Sequence, residues 1–257
     1  MSSPLFDITG RLALVTGSSR GLGLALATGL ARHGARVVLH GRNREALARA
    51  REQVAAAGDG AEVPAVSFDV TDAAAVRDGV TALVAEQGVP DILVNNAGIQ
   101  RRAPFNDFDP RDWDDVVAAN LSSAFYVSQQ VTRGMAERGS GKVVNIGSVQ
   151  SQLARQTIAP YSATKGGLVM LTKGMAADLA RFNIQVNAIS PGYFATEMNR
   201  ALVEDEDFTR WVVDRTPARR WGRVEELVGT LVYLCSDAAS FVSGQNVFVD
   251  GGMTAVV

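Results

Sequence analysis

A tyrosine and a lysine in the later part of the chain have a spacing that suits proton transfer. Tyr161 and Lys165 stand at positions i and i+4 of a segment with helical pattern, so both side chains would lie on one face, one turn apart. Tyrosine has an unperturbed pKa of about 10, and positive charge nearby favours its ionised form. Ser148 comes earlier, at the end of a short β-branched run. The three residues predict an acid–base site.

The surroundings of the pair matter, because a tyrosine and a lysine at this spacing also occur on helices that do no chemistry. Small residues such as Gly166 follow on the same segment and allow a ligand to approach closely. Asn120 lies on the helix predicted after the fourth strand and could bind a water or a backbone carbonyl that connects Lys165 to solvent. The candidate catalytic residues are therefore Asn120, Ser148, Tyr161 and Lys165.

Short β-branched runs alternate with longer segments of helical period along the whole chain. This rhythm predicts an α/β fold with a doubly wound parallel sheet and helices on both faces. Strands are predicted at residues 11–15, 36–40, 63–67, 91–94, 142–146, 184–189 and 246–249, and helices at 22–33, 44–57, 73–87, 111–138, 162–181 and 224–236. No linker rich in serine or proline divides these elements, so we expect one domain over residues 1–257.

The first predicted strand runs into a glycine-rich turn that opens a helix. Its glycines would let the backbone turn tightly and approach a pyrophosphate, while the free N–H groups of the helix start attract negative charge. Any tight strand-to-helix turn can need glycine, but this one occupies the first βα unit of an alternating chain and therefore predicts a dinucleotide site. The residues expected to contact the cofactor here are Gly17, Ser19, Arg20, Gly21, Leu22 and Gly23.

The end of the second predicted strand indicates which dinucleotide binds. A site for NAD usually has a carboxylate here for the ribose hydroxyls, whereas the 2′-phosphate of NADP is attracted to arginine. Residues 40–43 contain no acid and end in Arg42 and Asn43, while Arg20 in the glycine turn is in reach of the same ribose. Two cations and no anion predict NADP (NADPH). The alternative is that Arg42 is an ordinary solvated residue at a helix start.

Two further strand ends carry polar or small residues at the same edge of the sheet, where ligands bind in open α/β folds. Asp69 and Val70 follow the third strand, although an aspartate there could also cap the next helix. The fourth strand ends in Asn-Asn-Ala-Gly (residues 95–98). Two amides and two small residues pack poorly in a core but suit a surface for a ligand, and this segment is here called the ledge. We therefore add Asn96, Ala97 and Gly98 to the expected cofactor contacts.

The composition argues against several classes of partner. The 25 Lys and Arg nearly balance the 27 Asp and Glu, and neither sign forms long blocks, so neither nucleic acid nor a membrane is expected as a partner. Cys235 is the only cysteine, which excludes an intrachain disulfide and favours a reducing compartment, the cytoplasm. We predict no metal site, no secretion signal and no membrane span. A small-molecule substrate is the remaining expectation.

One connection is long for a compact α/β domain. Residues 192–223 lie between the sixth predicted strand and the last predicted helix, and they contain an acidic run and two tryptophans. Long insertions of this kind often form lids or binding loops. We expect a substrate lid; one or two surface helices with acidic caps are the simpler alternative.

Together these motifs resemble those of the short-chain dehydrogenase/reductases, over essentially the whole chain. The matching positions are Thr16, Gly17, Gly21, Gly23, Asn95, Asn96, Ala97, Gly98, Asn120, Ser148, Tyr161, Lys165, Pro191 and Gly192. The resemblance implies a single Rossmann-type domain with a seven-stranded sheet in the order 3-2-1-4-5-6-7. It also implies a nicotinamide cofactor and a homotetramer.

The resemblance further implies a role for each site residue. Ser148 would hold and polarise the substrate oxygen, Tyr161 would move the proton, and Asn120 would keep the proton relay in place. Lys165 would bind the nicotinamide ribose and, with the cationic nicotinamide ring, lower the pKa of Tyr161; a shift of about 3 units takes roughly 4 kcal/mol. The residues expected to seat the nicotinamide carboxamide are Pro191, Gly192 and Thr196.

Within this family the chain is most similar to enzymes of sugar and sugar-acid metabolism, which implies interconversion of gluconate and 5-ketogluconate. A sugar acid needs a cation for its carboxylate, and Arg101, Arg102 and Arg155 fall in loops beside the predicted site. Arg101 and Arg155 join Ser148 and Tyr161 as candidate substrate contacts, although a loop arginine can also be merely exposed. The alternatives are a 3-oxoacyl-carrier-protein reductase, a 2-deoxygluconate 3-dehydrogenase and a catalytically inert sensor of the dinucleotide.

Overall fold

A parallel sheet forms the centre of the computed structural model, which describes residues 4–58, 60–196 and 200–256. The strands are β1 (Leu12–Val15), β2 (Arg36–His40), β3 (Ala65–Val66), β4 (Ile92–Asn95), β5 (Gly141–Ile146), β6 (Ile184–Pro191), β7 (Phe194–Ala195), β8 (Gly222–Arg223) and β9 (Asn246–Val249). The main sheet has the order β3-β2-β1-β4-β5-β6-β9, and β7 pairs with β8 in a separate sheet. The predicted seven-stranded order is therefore confirmed, with β9 as its last strand.

Helices cover both faces of this sheet. They are α1 (Gly21–Arg32), α2 (Arg44–Ala57), α3 (Ala73–Gln87), α4 (Pro110–Val117), α5 (Ser123–Arg138), α6 (Ala159–Leu179), α7 (Arg200–Glu204), α8 (Glu206–Arg215) and α9 (Glu225–Cys235). One core cluster includes Leu30 of α1 and Leu231 of α9, and the cluster on the opposite face includes Leu83 of α3 and Met135 of α5. Because the central strands are buried on both faces, they read as continuous apolar runs in the sequence. The predicted doubly wound α/β fold is confirmed.

Two predicted elements have different bounds for local reasons. The third strand, predicted at 63–67, is reduced to Ala65–Val66, because this edge strand pairs with β2 through those two residues. The helix predicted at 162–181 begins earlier, at Ala159. Pro160 suits the first turn of a helix, where its missing N–H would have no partner in any case.

The helix predicted as continuous over 111–138 is interrupted in the structure. Residues Ala118–Ser122 form a π-helical turn between α4 and α5, with hydrogen bonds from i to i+5. The turn places Asn120 against the loop after β4, where its Oδ1 accepts from the Ile99 N–H (2.7 Å) and its Nδ2 donates to the Ile99 carbonyl (2.9 Å). Apolar periodicity carries no signal for such a turn, so the prediction of one unbroken helix is wrong.

The long connection 192–223 contains regular structure, and its residues 197–199 lie outside the described ranges. β7 and β8 pair in parallel, while α7 and α8 lie between them in the chain. The Asp205 Oδ1 caps α8 by accepting from the Phe208 N–H (2.9 Å). Surface helices with an acidic cap are thus present, and the lid role stays a prediction. Within the described ranges, no helix is long and apolar enough to cross a membrane.

A buried histidine joins the first three strands at the edge where they end. The His40 Nδ1 accepts from the Gly17 N–H (3.1 Å), and its Nε2 lies 3.1 Å from the Phe68 carbonyl oxygen. The His40 N–H donates to the Ser18 Oγ (2.9 Å). Burial lowers the pKa of His40 to about 4. The imidazole is therefore neutral at pH 7, with its proton on Nε2.

We predict that His40 makes the fold sensitive to acid. Its pKa is about 4 in the folded protein and 6.5 for an unperturbed imidazole, so the unfolded chain binds the proton more readily and stability is lost as the pH falls through this window. The loss is roughly 3 kcal/mol in the free energy of unfolding. Denaturant titrations between pH 7 and pH 4 should show a smaller loss for His40→Asn than for the wild type.

The chain offers a matched control in its other histidine. His33 lies exposed at the carboxyl end of α1, so His33→Asn should keep the wild-type pH dependence. The same pH dependence in His40→Asn and in the wild type would contradict the role given to His40.

Candidate active site

The glycine turn after β1 packs directly on the ledge after β4. Gly17 has a positive φ (+64°), and a Cβ on it would lie 2.9 Å from the Ala97 Cα. A Cβ on Gly23 would overlap the Asn96 amide and the Gly17 carbonyl. The Thr16 Oγ1 accepts from the backbone N–H groups of Asn96 (3.0 Å) and Ala97 (3.1 Å). The predicted cofactor residues of the two strand ends therefore meet, and the positions of Gly17 and Gly23 have no room for a side chain.

The N-terminus of α1 opens toward this turn. Arg20 is the exposed N-cap residue, and its side chain makes no capping hydrogen bond, while Gly21 and Leu22 begin the helix. Ser19 lies against Gly41, whose added Cβ would come within 3.1 Å of the Ser19 hydroxyl. The N–H groups at a helix start and the adjacent guanidinium suit a phosphate. These residues fit the dinucleotide that the sequence predicts.

The structure corrects the expectation that the ribose end of this site has cations and no anion. The Arg42 guanidinium lies 3.2 Å from a carboxylate oxygen of Asp69. The Asp69 side chain also accepts from the Thr71 N–H (2.9 Å) and hydroxyl (2.8 Å), and these bonds hold its pKa below its usual range. The Asn43 Oδ1 caps α2 by accepting from the Ala46 N–H (2.8 Å). Asp69, which follows β3, thus forms an ion pair with Arg42, which follows β2. The two meet because the carboxyl ends of parallel strands lie at one edge of the sheet.

Ser148, Tyr161 and Lys165 come together at the carboxyl end of β5. The Lys165 Nζ donates to the Ile146 carbonyl (2.7 Å) and lies 5.6 Å from the centroid of the Tyr161 ring. The Ser148 hydroxyl is hydrogen-bonded to the Tyr161 phenol, and its Oγ also accepts from the Gln150 N–H (3.2 Å). The three side chains predicted from spacing thus lie together, with Ser148 hydrogen-bonded to Tyr161 and the Lys165 ammonium beside the Tyr161 ring.

The pKa values of Tyr161 and Lys165 indicate how the lysine affects the phenol without the charge of a nicotinamide ring. Burial raises the pKa of Tyr161, while the hydrogen bond with Ser148 opposes the rise. Burial lowers the pKa of Lys165 to about 8. In this structure the lysine therefore does not make the phenol acidic. The lowered pKa expected from the sequence needs the second positive charge, that of the nicotinamide ring, and it stays a prediction.

Asn120 reaches the same group from the side of the π-helical turn. Its Nδ2 lies 3.3 Å from the hydroxyl of Thr164, the residue before Lys165, and its Oδ1 packs against Gly98. Asn120 therefore joins the ledge after β4 to α6. Its part in connecting Lys165 to solvent stays a prediction.

The residues predicted for the nicotinamide end lie after β6, next to β9. Pro191 ends β6, and the Gly192 N–H donates to the Val249 carbonyl (3.0 Å). Thr196 follows β7 in the same segment, and Val70 lies buried after β3 at the other end of the edge. Their contacts with a cofactor stay predictions. Among the described residues, no group of three or more His, Cys, Asp or Glu side chains could hold a metal ion.

The structure distinguishes between neighbouring arginines that the sequence treats alike. Arg101 forms ion pairs with Asp112 (3.2 Å) and Asp115 (3.8 Å) and so lies against α4. Arg102 lies near Arg155: burial lowers the pKa of Arg102, and the charge of Arg155 lowers it further. The charge of Arg155 thus acts on Arg102, whereas Arg101 is engaged by two carboxylates of α4, and a contact of Arg101 with the substrate stays an untested prediction.

One backbone hydrogen bond joins the loops that carry these two arginines. The Ala103 N–H donates to the Thr157 carbonyl (3.2 Å), and Thr157 has a left-handed backbone conformation (φ 70°). Such a conformation is uncommon for a β-branched residue and marks a site under constraint. The bond and the constrained backbone hold the loop that carries Arg102 against the loop that carries Arg155.

Sequence reasoning missed the aromatic residues that close this side of the site. The Tyr193 ring contacts the rings of Phe208, Trp211 and Trp221 in the connection 192–223. These three residues, without Tyr193, are here called the lid aromatic cluster. The Arg155 guanidinium lies 5.4 Å from the centroid of the Phe208 ring. The position of Tyr193 directly after Pro191-Gly192, at the carboxyl end of a strand, was the available signal.

Comparison with known proteins shows the class to which this fold and site belong. A family model described as enoyl-(acyl carrier protein) reductase matches residues 17–254, and the chain belongs to the short-chain dehydrogenase/reductase family. Gluconate 5-dehydrogenase of Gluconobacter oxydans (strain 621H) is 57% identical over 255 residues, 99% of each chain. 5-Keto-D-gluconate 5-reductase of Escherichia coli (strain K12) is 50% identical over 253 residues, 98% of this chain and 99% of that one.

A solved structure is equally similar. Gluconate 5-dehydrogenase from Burkholderia cenocepacia J2315, in complex with NADP and tartrate, has a TM-score of 0.94 and 52% identity, and the match covers 99% of both chains. The similarity includes the whole sheet and its helices.

We predict that Tyr161→Phe separates chemistry from cofactor binding. The change removes the transferable proton but keeps the ring, so we expect turnover to fall by about 10²- to 10⁴-fold while the affinity for NADPH is preserved. Steady-state rates and fluorescence titration with NADPH measure the two quantities. Tyr126→Phe, on α5, is the matched control and should behave as the wild type. Unchanged turnover in Tyr161→Phe would refute the assignment of the proton to this residue.

Proposed function

We propose that the protein is an NADP-dependent oxidoreductase that interconverts a hydroxyl and a ketone of a sugar acid, gluconate and 5-ketogluconate. The observation that carries the proposal is the Ser148–Tyr161–Lys165 group at the carboxyl end of β5, followed on the next loop by Arg155, whose buried Nε has no hydrogen-bond partner among the described residues. The relatives named as gluconate 5-dehydrogenase and 5-keto-D-gluconate 5-reductase, which match nearly the whole chain, support it.

The cofactor proposal rests on the packed glycine turn and the arginines at its end. The dinucleotide would lie along the turn and the ledge, with Arg20 and Arg42 on the 2′-phosphate, and when bound it supplies or accepts the hydride. The Arg42–Asp69 pair does not preclude this, because Arg42 is 71% exposed and an exposed ion pair is worth only about 0–1 kcal/mol. The Burkholderia cenocepacia relative was solved in complex with NADP.

The residues of this chain would manage the proton and the position of the reacting oxygen. The Ser148 hydroxyl would donate to the carbonyl oxygen of the ketone, and the Tyr161 phenol would give that oxygen its proton as reduction proceeds, or take it during oxidation. Lys165 would restore the protonation state of the Tyr161 phenol by exchanging a proton with it. Asn120, bonded to Ile99 and Thr164, would hold the path for this exchange.

A negatively charged substrate suits the other half of the site. Two guanidinium groups close together repel one another, and a carboxylate between them removes the repulsion and accepts two charge-assisted hydrogen bonds. The Arg155 Nε is buried and has no hydrogen-bond partner among the described residues. The Burkholderia cenocepacia relative was solved with tartrate, which is itself a hydroxy acid.

The assembly and location expected from the family resemblance remain part of the proposal. Exposed apolar side chains on α4, α5 and α6, and Phe241 near the carboxyl end, support contacts between copies in a homotetramer. A cytoplasmic location is in keeping with a nicotinamide enzyme whose single cysteine is buried.

A panel of substrates tests the function. We expect purified protein to reduce 5-ketogluconate with NADPH, followed as loss of absorbance at 340 nm, and to oxidise gluconate with NADP⁺. NADPH should be preferred to NADH, because a 2′-phosphate gains contacts with the two arginines. Turnover of an acetoacetyl thioester but of no sugar acid would favour the carrier-protein reductase alternative. Binding of NADPH without any turnover would favour the inert sensor.

Neighbouring arginines give a matched test of carboxylate binding. We expect Arg102→Met and Arg155→Met each to raise KM for 5-ketogluconate by at least about 10-fold, because a hydrogen bond to a charged group is worth about 1.5–3 kcal/mol. Arg101→Met is the control, since Arg101 is paired with Asp112, and its KM should stay within about 2-fold of the wild type. A larger rise of KM in Arg101→Met than in Arg102→Met would contradict the proposal that Arg102, and not Arg101, binds the carboxylate together with Arg155.

A further inference from the structure

Tyr193 is held between the lid aromatic cluster and the proposed carboxylate site. Its ring centroid lies 5.8 Å from Phe208, 5.6 Å from Trp211 and 5.8 Å from Trp221, and the interplanar angles of 69°, 84° and 89° make all three contacts edge-on. Edge-to-face pairs of this kind have a preferred geometry and fix the orientation of a ring. The cluster therefore leaves the Tyr193 ring little freedom to rotate.

The backbone of Tyr193 is fixed as well. Its carbonyl accepts from the Gly222 N–H (2.9 Å), which ties the residue to β8, and Phe194 next to it begins β7. The Trp221 indole N–H in turn donates to the Thr209 hydroxyl (3.1 Å) on α8. The two ends of the connection 192–223 are therefore joined to each other at Tyr193.

Tyr193 and Arg155 contact the same ring: the Phe208 centroid lies 5.8 Å from the Tyr193 centroid and 5.4 Å from the Arg155 guanidinium. Burial raises the pKa of Tyr193, and the positive charges of Arg155 and Arg102 lower it in part. Tyr193 in turn contributes to the raised pKa of Tyr161. The shared contact with Phe208 places the Tyr193 ring beside the Arg155 guanidinium, and the charges of Arg102 and Tyr161 interact with the same phenol. No described residue is hydrogen-bonded to its hydroxyl, which leaves this donor for a ligand.

We propose that Tyr193 is a specificity-determining residue, whose hydroxyl donates a hydrogen bond to the substrate carboxylate held by Arg102 and Arg155. This inference rests on the proposed function and adds a third donor to the carboxylate site. Two arginines on loops attract any anion, whereas a donor on a ring fixed by three other rings accepts only one carboxylate position. The position of the carboxylate sets which carbon of the sugar acid lies against Tyr161.

The test is Tyr193→Phe, which keeps every ring contact and removes only the hydroxyl. We expect KM for 5-ketogluconate to rise about 10-fold, as for loss of a hydrogen bond to a charged group, with kcat within about 2-fold of the wild type. Tryptophan fluorescence, to which Trp211 and Trp221 contribute, should keep its wild-type spectrum because the lid aromatic cluster is intact. Tyr233→Phe, a half-buried tyrosine on α9, is the matched control and should leave KM unchanged.

A neutral analogue shows whether the carboxylate is the partner. L-Sorbose has the carbon chain of 5-ketogluconate with a hydroxymethyl group in place of the carboxylate. Its kcat/KM, or its inhibition constant against 5-ketogluconate if it is not reduced, should be the same in Tyr193→Phe and in the wild type. An equal loss for the neutral and the charged compound would overturn the inference.

The remaining outcomes separate this inference from the proposed function. An unchanged KM for 5-ketogluconate in Tyr193→Phe, or a changed fluorescence spectrum with a fall in kcat, would overturn the inference and leave the proposed function in place. A wild-type protein that turns over no sugar acid would instead defeat the proposed function, whatever Tyr193→Phe does.

Discussion

A buried hydrogen bond joins the two elements that carry the chemical half of the site. The Lys165 Nζ donates to the Ile146 carbonyl and so ties α6 to the end of β5. Ser148 lies just beyond that strand end and Tyr161 one turn before the lysine, so this bond brings both side chains to the same place. A buried ammonium is costly unless its protons are accepted, and the carbonyl offsets part of that cost. The lowered pKa of Lys165, about 8, shows that burial still outweighs it.

The nucleotide half depends on close packing of backbone. The turn at Gly17 and Gly23 lies so near the ledge of Asn96 and Ala97 that any Cβ would overlap it. His40 supports the same turn from the other side through the Gly17 N–H. The proposed cofactor site and the stability of the fold would therefore be coupled, because the contacts that shape the turn also join three strands of the sheet.

In the proposed function, selection of the substrate falls to three loops that leave neighbouring strands. Arg102 follows β4, Arg155 follows β5 and Tyr193 follows β6, and parallel strands bring their carboxyl ends to one edge. The bond from Ala103 to Thr157 joins the first two loops, and the stacking of Arg155 on Phe208 joins the second to the connection 192–223. The catalytic residues, by contrast, sit on the more rigid strand end and helix.

Local pattern in the sequence was sufficient for the α/β fold, for nearly all of its elements, and for grouping Ser148, Tyr161 and Lys165, because strand and helix periods and i, i+4 faces are short-range properties. The sequence order of the motifs also sufficed for the family. Only the tertiary structure decided that the charge of Arg155 acts on Arg102, that Asp69 is paired with Arg42, that Tyr193 packs against three rings of the connection 192–223, and that a π-helical turn positions Asn120. Adjacent loop residues point in different directions, and contacts between distant loops depend on the packing of the whole sheet, which no local pattern records.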